Sequence, residues 1–475
     1  MQQEESRQQR ADREQFIRMT QTPIGRVIIQ MAIPTIVSMV VTSIYNIGDT
    51  YFVSKLGTSA SAAVGTVFPL MAVIQAVGFM MGMGSGSQIS RLLGERKLRE
   101  CERIAVSSFA ASMLFGVVMA IVGLCGMDTV MVILGATPTV KPYAVEYTKY
   151  ILLAAPIMAG SFVLNNILRA QGNARFAMVG IATGSILNLV LDPLFIFKFN
   201  MGISGAAIAT ALSQMVSFVM LLMAFVMGKS VVRLDLRRIA LAPRVYWDTV
   251  RNGLPSFIRQ ALASVATILL NHAAAQYGDD PVAAMSIVGK VFMIIFAVGL
   301  GIGQGYMPVL GYNYGAKRYE RVRRAFNFTL WMGTVIMSVM GVVIGILAPV
   351  IIRAFIADSE MVVEVGSRAL RAQCIAMPLL SLGVVCNMTF QTIGKSWTST
   401  FLSSARQGIF YIPLIMLLPR YMGLTGIEVT QALSDGLTFL LSVPFAVAFM
   451  GRIKKECEKV KQPEEKEEQK VLDNE

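Results

Sequence analysis

The sequence predicts an all-α membrane protein with twelve transmembrane helices in two parallel six-helix repeats. Three observations support this fold class: a low content of charge, twelve long apolar segments, and an internal match at a fixed spacing. Only 15% of the 475 residues are charged and 55% are apolar, whereas a soluble domain carries about 25% charged residues. Much of the exterior must therefore contact lipid rather than water.

Apolar segments of about 20 residues, the length that crosses a hydrocarbon core, recur along the chain. Glycine and proline inside them do not exclude spanning helices, because neighbouring helices can satisfy the freed backbone groups. The predicted spans cover residues 27–50, 62–86, 104–126, 145–167, 176–198, 203–227, 250–275, 284–309, 326–350, 366–390, 398–418 and 426–450.

The basic residues predict the orientation, because cytoplasmic connections between spans hold the excess of Lys and Arg. Basic clusters occupy connections at 91–103, 229–244 and 317–324, whereas the seventh connection holds Asp279 and Asp280. Both termini are therefore expected in the cytoplasm, in a multi-pass protein of the cytoplasmic (inner) membrane. The net charge of +13 follows this topological pattern. Without a basic face or a recognition motif, a nucleic-acid partner is not expected.

The second half of the chain matches the first at an offset of 221 residues. This duplication predicts an N-lobe at 27–228 and a C-lobe at 249–450, joined by a cytoplasmic linker at 229–248. Because six is an even number of spans, the repeats are parallel, as in rocking-bundle transporters. Residues 1–26 and 451–475 are predicted as cytoplasmic tails, the second of them disordered. The matched pairs include Pro34 and Pro255, Gly57 and Gly278, Gly82 and Gly303, Gly84 and Gly305, Gly94 and Gly315, and Gly202 and Gly423.

Glycine and proline inside the spans predict two local features. The glycine runs at 82–86 and 299–305 lack the Lys-Ser/Thr of a phosphate loop and are typical of close helix packing through small residues. Pro34 lies within the first span, where it removes a backbone hydrogen bond and is expected to kink the helix.

An ionisable residue inside a membrane is energetically costly, so each one is a candidate functional residue. Asp49 lies near the end of the first span, Asp192 lies in the fifth span one helical turn after Asn188, and Thr210 adds a hydroxyl in the sixth. Two carboxylates with neutral oxygens form either a proton site, favoured by desolvation and like-charge proximity, or a Na⁺ site that keeps both acids ionised. The alternative is that both acids are hydrated at the outer interface.

Four further residues are candidates for contacting substrate in a cavity. Asn165 and Asn166 place two amides late in the fourth span, and Arg259 and Lys290 lie in apolar surroundings in the seventh and eighth. For the two basic residues, snorkelling of the charged group to a membrane interface is an equally good interpretation. Other charged residues of the C-lobe spans receive no assignment, namely Arg406, Glu428 and Asp435.

The sequence offers little for enzymatic chemistry. Its single histidine, His272, falls near the outer end of a span, and no Ser/His, HExxH or paired catalytic Asp signature is present. The five cysteines form no CxxC pair or regular ladder, so neither a disulfide framework nor a zinc site is expected. The chain is therefore predicted not to be an enzyme and to need no cofactor beyond a coupling ion, H⁺ or Na⁺.

Four segments resemble the multidrug and toxic compound extrusion (MATE) family, and the resemblance spans essentially residues 21–451. The segments are DTYFVSKLGTSASAAVG, NNILRAQGNARFAM, LNLVLDPLFIF and GISGAAIAT. The resemblance implies a V of two six-helix bundles that exports organic cations in exchange for H⁺ or Na⁺. No Glu occurs in the seventh span and no Asp in the tenth, which favours coupling in the N-lobe, as in DinF-like relatives. The resemblance implies a bend of the first helix at Pro34 and a cation site formed by Asp49, Asn188, Asp192 and Thr210.

These observations predict a monomeric multidrug efflux antiporter that works by alternating access between its lobes. Its expected partners are membrane lipids and amphipathic cationic small molecules. Two alternatives stay open: a flippase for lipid-linked oligosaccharides from the same superfamily, and a membrane-embedded enzyme. The flippase would need a more cationic groove for a diphosphate group and often has more than twelve helices.

Overall fold

Twelve helices are long and apolar enough to cross a membrane in the part of the chain that the structure describes, which confirms the predicted fold class. The structure is a computed structural model that describes residues 2–356 and 359–472, with the side chains of residues 8, 10–356 and 359–459. Met1 and residues 473–475, which belong to the predicted tails, lie outside the described residues.

The N-lobe contains six of these spans, preceded by one further helix and interrupted by a short one. In chain order its helices are α1 (Gln2–Gln21), α2 (Ile24–Ser54), α3 (Thr58–Gly94), α4 (Leu98–Cys125), the short α5 (Met127–Ile133), α6 (Lys141–Ala170), α7 (Ala174–Pro193) with a π-helical turn (Leu194–Lys198), and α8 (Gly202–Val226).

The C-lobe contains the other six spans. Its helices are α9 (Pro243–Ala275), α10 (Asp279–Gly315), α11 (Tyr319–Phe355), α12 (Glu360–Thr392), α13 (Ser396–Ser404) with a π-helical segment (Ala405–Phe410) and α14 (Tyr411–Met422), and α15 (Leu424–Leu472). The α13, π-helical and α14 segments together form one span.

The offset of 221 residues is visible in the helix boundaries. It carries α3 onto α10 residue for residue, and it carries the last residue of α2 onto the last residue of α9. The two lobes are therefore two copies of one bundle. α9 begins at Pro243 rather than at the predicted 249, so the linker between the lobes is shorter than expected and contains a single 3₁₀ turn at Leu236–Arg238.

The lobes contact each other through glycines at one end of the molecule. We call this end of the molecule the linker end, because the connection between α8 and α9 lies there. We call the other end, which contains the α2–α3 turn, the distal end. A side chain on Gly84 would collide with the backbone of Thr249 in α9, and one on Gly305 would collide with the backbone of Ala32 in α2. The glycine runs therefore serve close helix packing, as predicted, and they bring the two lobes into contact at the linker end.

The segment predicted as an N-terminal tail contains a docked helix. α1 lies at the linker end, where Gln8 donates a hydrogen bond to Glu102 of the N-lobe at 2.7 Å. Asn313 of the C-lobe donates to the backbone carbonyl of Met19 at 3.0 Å, and Met19 is fully buried. Hydropathy does not predict this docking, because polar side chains and backbone carbonyls make most of it.

The final helix also extends beyond the predicted span. α15 continues to Leu472, so the described part of the tail that was predicted to be disordered is helical. Ile453 is 1% exposed, and the ring of Phe449 packs 5.3 Å from that of Phe326 in α11. The apolar contact with the C-lobe thus continues past Gly451, where the charge-rich composition had indicated its end.

Candidate cation site

Three helices bring the predicted cation-site residues together at the distal end of the N-lobe. Asp49 lies near the end of α2, Asp192 in the last turn of α7, and Thr210 in the third turn of α8. Close approach of α8 to α7 depends on Gly205, since a side chain there would collide with the backbone of Phe195. The site is therefore formed where the ends of three spans converge.

The backbone changes its geometry directly after Asp192. Pro193 has no N–H to donate to the preceding turn, and the chain widens into the π-helical turn Leu194–Lys198. Single π-helical turns inside α-helices are rare and frequently occur at functional sites. The turn alters how the end of α7 faces α2 and α8, and Asp192 lies at this boundary.

The four side chains form one cluster of oxygen and nitrogen atoms. The amide of Asn188 donates to Oδ1 of Asp192 at 3.2 Å and to the hydroxyl of Thr210 at 3.3 Å. The carboxyl groups of Asp49 and Asp192 face each other within hydrogen-bonding reach. Asp192 is 0% exposed, and Asp49 is half-buried. Asp192 therefore lies inside the bundle and not on a hydrated surface.

Three oxygen atoms of the cluster are buried without a hydrogen-bond donor: Oδ1 of Asp49, Oδ1 of Asn188 and Oδ2 of Asp192. A buried acceptor that lacks a donor is unfavourable, and neither carboxyl group is balanced by a positive side chain in the described part of the chain. A proton or a hard cation with a preference for oxygen ligands would satisfy these atoms. The donor set fits H⁺ or Na⁺, with Thr210 as a further oxygen ligand.

Two buried tyrosines also line the site, and the sequence did not predict them. The hydroxyl of Tyr45, one turn before Asp49 in α2, faces Gln214 of α8. The hydroxyl of Tyr147 in α6 faces Thr210. The four-residue spacing from Asp49 was a usable signal for Tyr45. No such signal existed for Tyr147, because it comes from a span distant in sequence.

Asn165 and Asn166 lie far from this cluster. They are about 19 residues beyond Tyr147 in α6, which corresponds to about 28 Å along the helix. Asn165 donates to the backbone carbonyl of Ala177 at 2.9 Å and ties α6 to α7. Asn166 accepts a hydrogen bond from the buried Arg169 at 3.0 Å, and it lines a small cavity between the lobes at the linker end. The structure does not join these amides to the carboxylates.

The charged residues of the C-lobe that had no assignment form ion pairs. Nε of Arg406 lies 2.6 Å from Oδ1 of Asp435, and their side chains are 12% and 1% exposed. Arg368 of α12 contacts Glu428 of α15 at 2.9 Å. The buried charges of these pairs are therefore neutralised locally, unlike the acids of the N-lobe.

Arg259 and Lys290 belong to neither pair. Nη1 of Arg259 is buried without a hydrogen-bond partner, and Lys290 is partly exposed. Their contact with a substrate stays a prediction. At Pro34, α2 is continuous, and the hydroxyls of Thr35 and Ser38 donate to nearby backbone carbonyls at 2.8 and 2.9 Å. Movement of the helix at this proline also stays a prediction.

Known proteins match this chain over almost its whole length. The multidrug export protein MepA of Staphylococcus aureus (strain MRSA252) is 24% identical over 431 residues, which cover 90% of this chain and 95% of MepA. A solved structure reported as the outward-facing conformation of a multidrug resistance MATE family transporter of the MOP superfamily has a TM-score of 0.88. It is 28% identical and covers 92% of this chain and 98% of its own.

A second solved structure is similar in fold but was interpreted differently. It is a MOP superfamily transporter from Pyrococcus furiosus, with a binding pocket of reverse polarity that suggests a different function. Its TM-score is 0.86 at 28% identity, over 92% of this chain and 98% of its own. The MatE family model matches twice, at residues 34–194 and 255–417, once in each lobe and together over more than half of the sequence. The chain therefore belongs to the MatE family.

Proposed function

We propose that this chain exports amphipathic cationic small molecules across the cytoplasmic membrane in exchange for H⁺ or Na⁺. The observation that carries the proposal is the pair of facing acids, Asp49 and Asp192, with no positive partner and with buried oxygens that lack donors. Membership of a transporter family and the likeness to the export protein MepA support transport, not enzymatic catalysis. The route lies between two lobes of one chain, so a single copy suffices.

The basic connections indicate which end of the protein faces the cytoplasm. The linker end carries the clusters at 91–103, 229–244 and 317–324, which assigns it to the cytoplasm under the positive-inside rule. The glycine contacts close the lobes at this end. The lobes are therefore closed on the cytoplasmic side, which is the conformation from which substrate would leave toward the outside. In this orientation the cation site lies at the outer end of the N-lobe.

One helix connects the cation site to the closed contact between the lobes. α2 carries Asp49 near its distal end and Ala32 at its contact with Gly305 of α10. The two positions are about 26 Å apart along the helix, with Pro34 between them. Capture of a cation removes the repulsion between Asp49 and Asp192, and α2 can transmit the resulting change in helix position to the lobe contact.

Capture must favour one arrangement of the lobes over the other, because a ligand shifts a conformational equilibrium only by its differential affinity. A coupling free energy of about 1–3 kcal/mol is typical of such linked sites. Binding of H⁺ or Na⁺ would supply a positive charge to the two carboxylates. The residues of the chain provide the oxygen atoms, exclude water from Asp192, and link the site to α2.

Transport by purified protein in liposomes tests the proposal. Ethidium movement would be measured under an imposed pH gradient and, separately, an imposed Na⁺ gradient. We expect one gradient to drive the wild type, and we expect Asp49→Asn and Asp192→Asn to lose most of this drive. Asp279→Asn is the matched control, because Asp279 is an exposed acid at the start of α10, distant in the chain from the site.

Two results would contradict the proposal at different levels. If neither gradient moves ethidium or a second organic cation in the wild type, export of organic cations is wrong and a lipid-linked substrate becomes the better hypothesis. If both site variants transport like Asp279→Asn at equal amounts of reconstituted protein, export stands but the coupling site lies elsewhere.

A further inference from the structure

An open groove lies at the linker end of the N-lobe, outside the cation site. Arg99 and Arg103, from the first two turns of α4, form one wall. Arg238, Ile239 and Leu241, from the linker between the lobes, form the other. A surface built only from guanidinium groups and aliphatic side chains combines the two chemistries of a phospholipid, an anionic phosphate and an acyl chain.

The positive charge of the groove is only partly balanced. Arg238 forms an ion pair with Glu102 and lies 3.4 Å from a carboxylate oxygen of Asp235. Arg99 and Arg103 are exposed, and neither makes a hydrogen bond or an ion pair with any described residue. Two guanidinium groups, each with five donors, are therefore available to an anion from outside the chain.

The two free arginines continue the lipid-facing side of α4. Leu114 follows Arg103 by eleven residues, which is three helical turns, so both lie on one face of the helix. Leu114 and Ile121 on this face are 64% and 58% exposed, as expected of side chains that contact hydrocarbon. Arg103 therefore lies where this apolar face ends, at the level of the membrane surface.

The linker side of the groove also presents apolar side chains. Leu241 is 93% exposed and Leu236 is 65% exposed, an arrangement that is unfavourable in water. The first residue of α9 is only two positions after Leu241. These side chains therefore lie beside the start of a spanning helix, where lipid can cover them.

We propose that this groove binds an anionic phospholipid of the membrane. Arg99 and Arg103 bind the phosphate of the headgroup, which Arg does with paired N–H donors, and Leu241 packs against an acyl chain. Basic pockets beside transmembrane helices at the cytoplasmic surface bind anionic headgroups. Because Arg238 and Leu241 belong to the only covalent connection between the lobes, the lipid would attach that connection to the N-lobe.

The duplication supplies an internal comparison. The positions 221 residues after Arg99 and Arg103 are Glu320 and Arg324. Arg323 and Arg324 both contact the carboxylate of Glu320, at 3.1 and 3.3 Å. The corresponding end of α11 therefore neutralises its own arginines, and we do not expect a lipid site there.

Native mass spectrometry of delipidated protein, titrated with dioleoylphosphatidylglycerol or dioleoylphosphatidylcholine, tests the site. An arginine at a membrane surface contributes about a fivefold factor in affinity for anionic lipid, so Arg99→Gln with Arg103→Gln should weaken phosphatidylglycerol binding about thirtyfold. Arg323→Gln with Arg324→Gln removes the same charge from the equivalent helix end and should leave binding within about twofold.

Two further arms separate a lipid from a free anion. Leu241→Ser should weaken phosphatidylglycerol binding several-fold, and millimolar inorganic phosphate should not displace the lipid. Equal losses in both double variants would show a general charge effect and overturn the site. Displacement by inorganic phosphate with no effect of Leu241→Ser would overturn the lipid in favour of a small anion. The variants change exposed residues and the partly exposed Arg323, and their folding is checked by thermal unfolding in detergent.

Discussion

The two lobes each bury charge near a π-helical segment of their fifth span, but they neutralise it differently. In both, the fifth span contains a π-helical segment: Asp192 precedes the one in the N-lobe, and Arg406 lies inside the one in the C-lobe. Asp192 faces a second acid, whereas Arg406 contacts Asp435 and lies 4.5 Å from the ring centre of Phe296. The two copies therefore share the helical scaffold but carry different charged side chains on it.

In each lobe, the sixth span places one side chain beside these charges, and the two side chains occupy matched positions of the repeat. Gln214 of α8 faces Tyr45 beside the cation site, and the residue 221 positions later is Asp435 of α15. An acid at this position balances Arg406 and completes an ion pair in the C-lobe. The N-lobe has a neutral amide at this position, and no positive side chain of the described chain lies beside Asp49 and Asp192. The C-lobe therefore contains a structural ion pair, whereas the N-lobe contains two facing acids that the proposed coupling ion would neutralise.

The largest expected effect tests this difference through stability. Asp435→Asn leaves Arg406 buried without its counter-charge and should lower the free energy of unfolding by about 3–5 kcal/mol. Asp192→Asn should not lower it, because the change removes repulsion between two acids. Chemical unfolding in detergent measures both. The double variant Arg406→Gln with Asp435→Asn should regain most of the loss; an equal loss in Asp192→Asn would contradict the distinction between the lobes.

The glycine contacts predict a symmetric effect in the two lobes. Gly84→Ala and Gly305→Ala each place a methyl group against the backbone of the opposite lobe, and overpacking of this kind costs about 1–3 kcal/mol. Both variants should open the linker end. Spin-label distances between Glu100 and Arg324, with exposed cysteines replaced, measure the opening. Gly65→Ala is the control, since no atom lies near a side chain there; opening in that variant would refute the packing explanation.

Removal of residues 2–21 should give a smaller shift in the same direction. In α1, Gln8 donates a hydrogen bond to Glu102 of the N-lobe, and the backbone carbonyl of Met19 accepts one from Asn313 of the C-lobe. Because these bonds reach both lobes, α1 stabilises only the arrangement in which the lobes are near each other. We expect destabilisation of the closed linker end by about 1–2 kcal/mol, from a few hydrogen bonds of about 0.5–1.5 kcal/mol each. The same spin-label pair reports it. An unchanged distance distribution would contradict this prediction. It would mean that only the contacts of α1 with one of the lobes are energetically important.

The smallest effect concerns the tyrosine that faces Thr210. Tyr147→Phe removes one hydroxyl from the edge of the cation site and should weaken affinity for the coupling ion about fivefold, the equivalent of about 1 kcal/mol. The concentration of H⁺ or Na⁺ at half-maximal transport measures this. Tyr143→Phe, one turn earlier in α6 and exposed, is the control and should not change it.

The sequence predicted the fold well, because span length, basic connections and the offset of 221 residues are strong local signals. It also predicted the four residues that converge in the N-lobe, through segments that resemble a known family. It did not predict that Arg406 and Asp435 pair, since this depends on how two spans are rotated about their axes. For the same reason it did not predict that Asn165 and Asn166 lie at the linker end, about 28 Å along the bundle from Tyr147.

The sequence did not predict the helical structure at the two ends of the chain, for one reason. Charged and polar residues indicated cytoplasmic tails at 1–26 and 451–475, the second of them disordered, whereas α1 docks as a helix and α15 continues. In both segments a few side chains, such as Met19 and Ile453, are buried among polar neighbours. Average hydropathy does not report such isolated contacts, and their partners come from distant parts of the sequence.

The docking of α1 has a consequence for biosynthesis. This helix is translated before the twelve spans, but Asn313, Arg318 and Arg321 donate hydrogen bonds to backbone carbonyls at and just after its end, across 294, 298 and 299 residues of sequence. Its binding surface is incomplete until the eighth span and the connection after it have been translated. Protection of α1 from protease during synthesis would therefore mark nascent chains in which both halves have inserted and met.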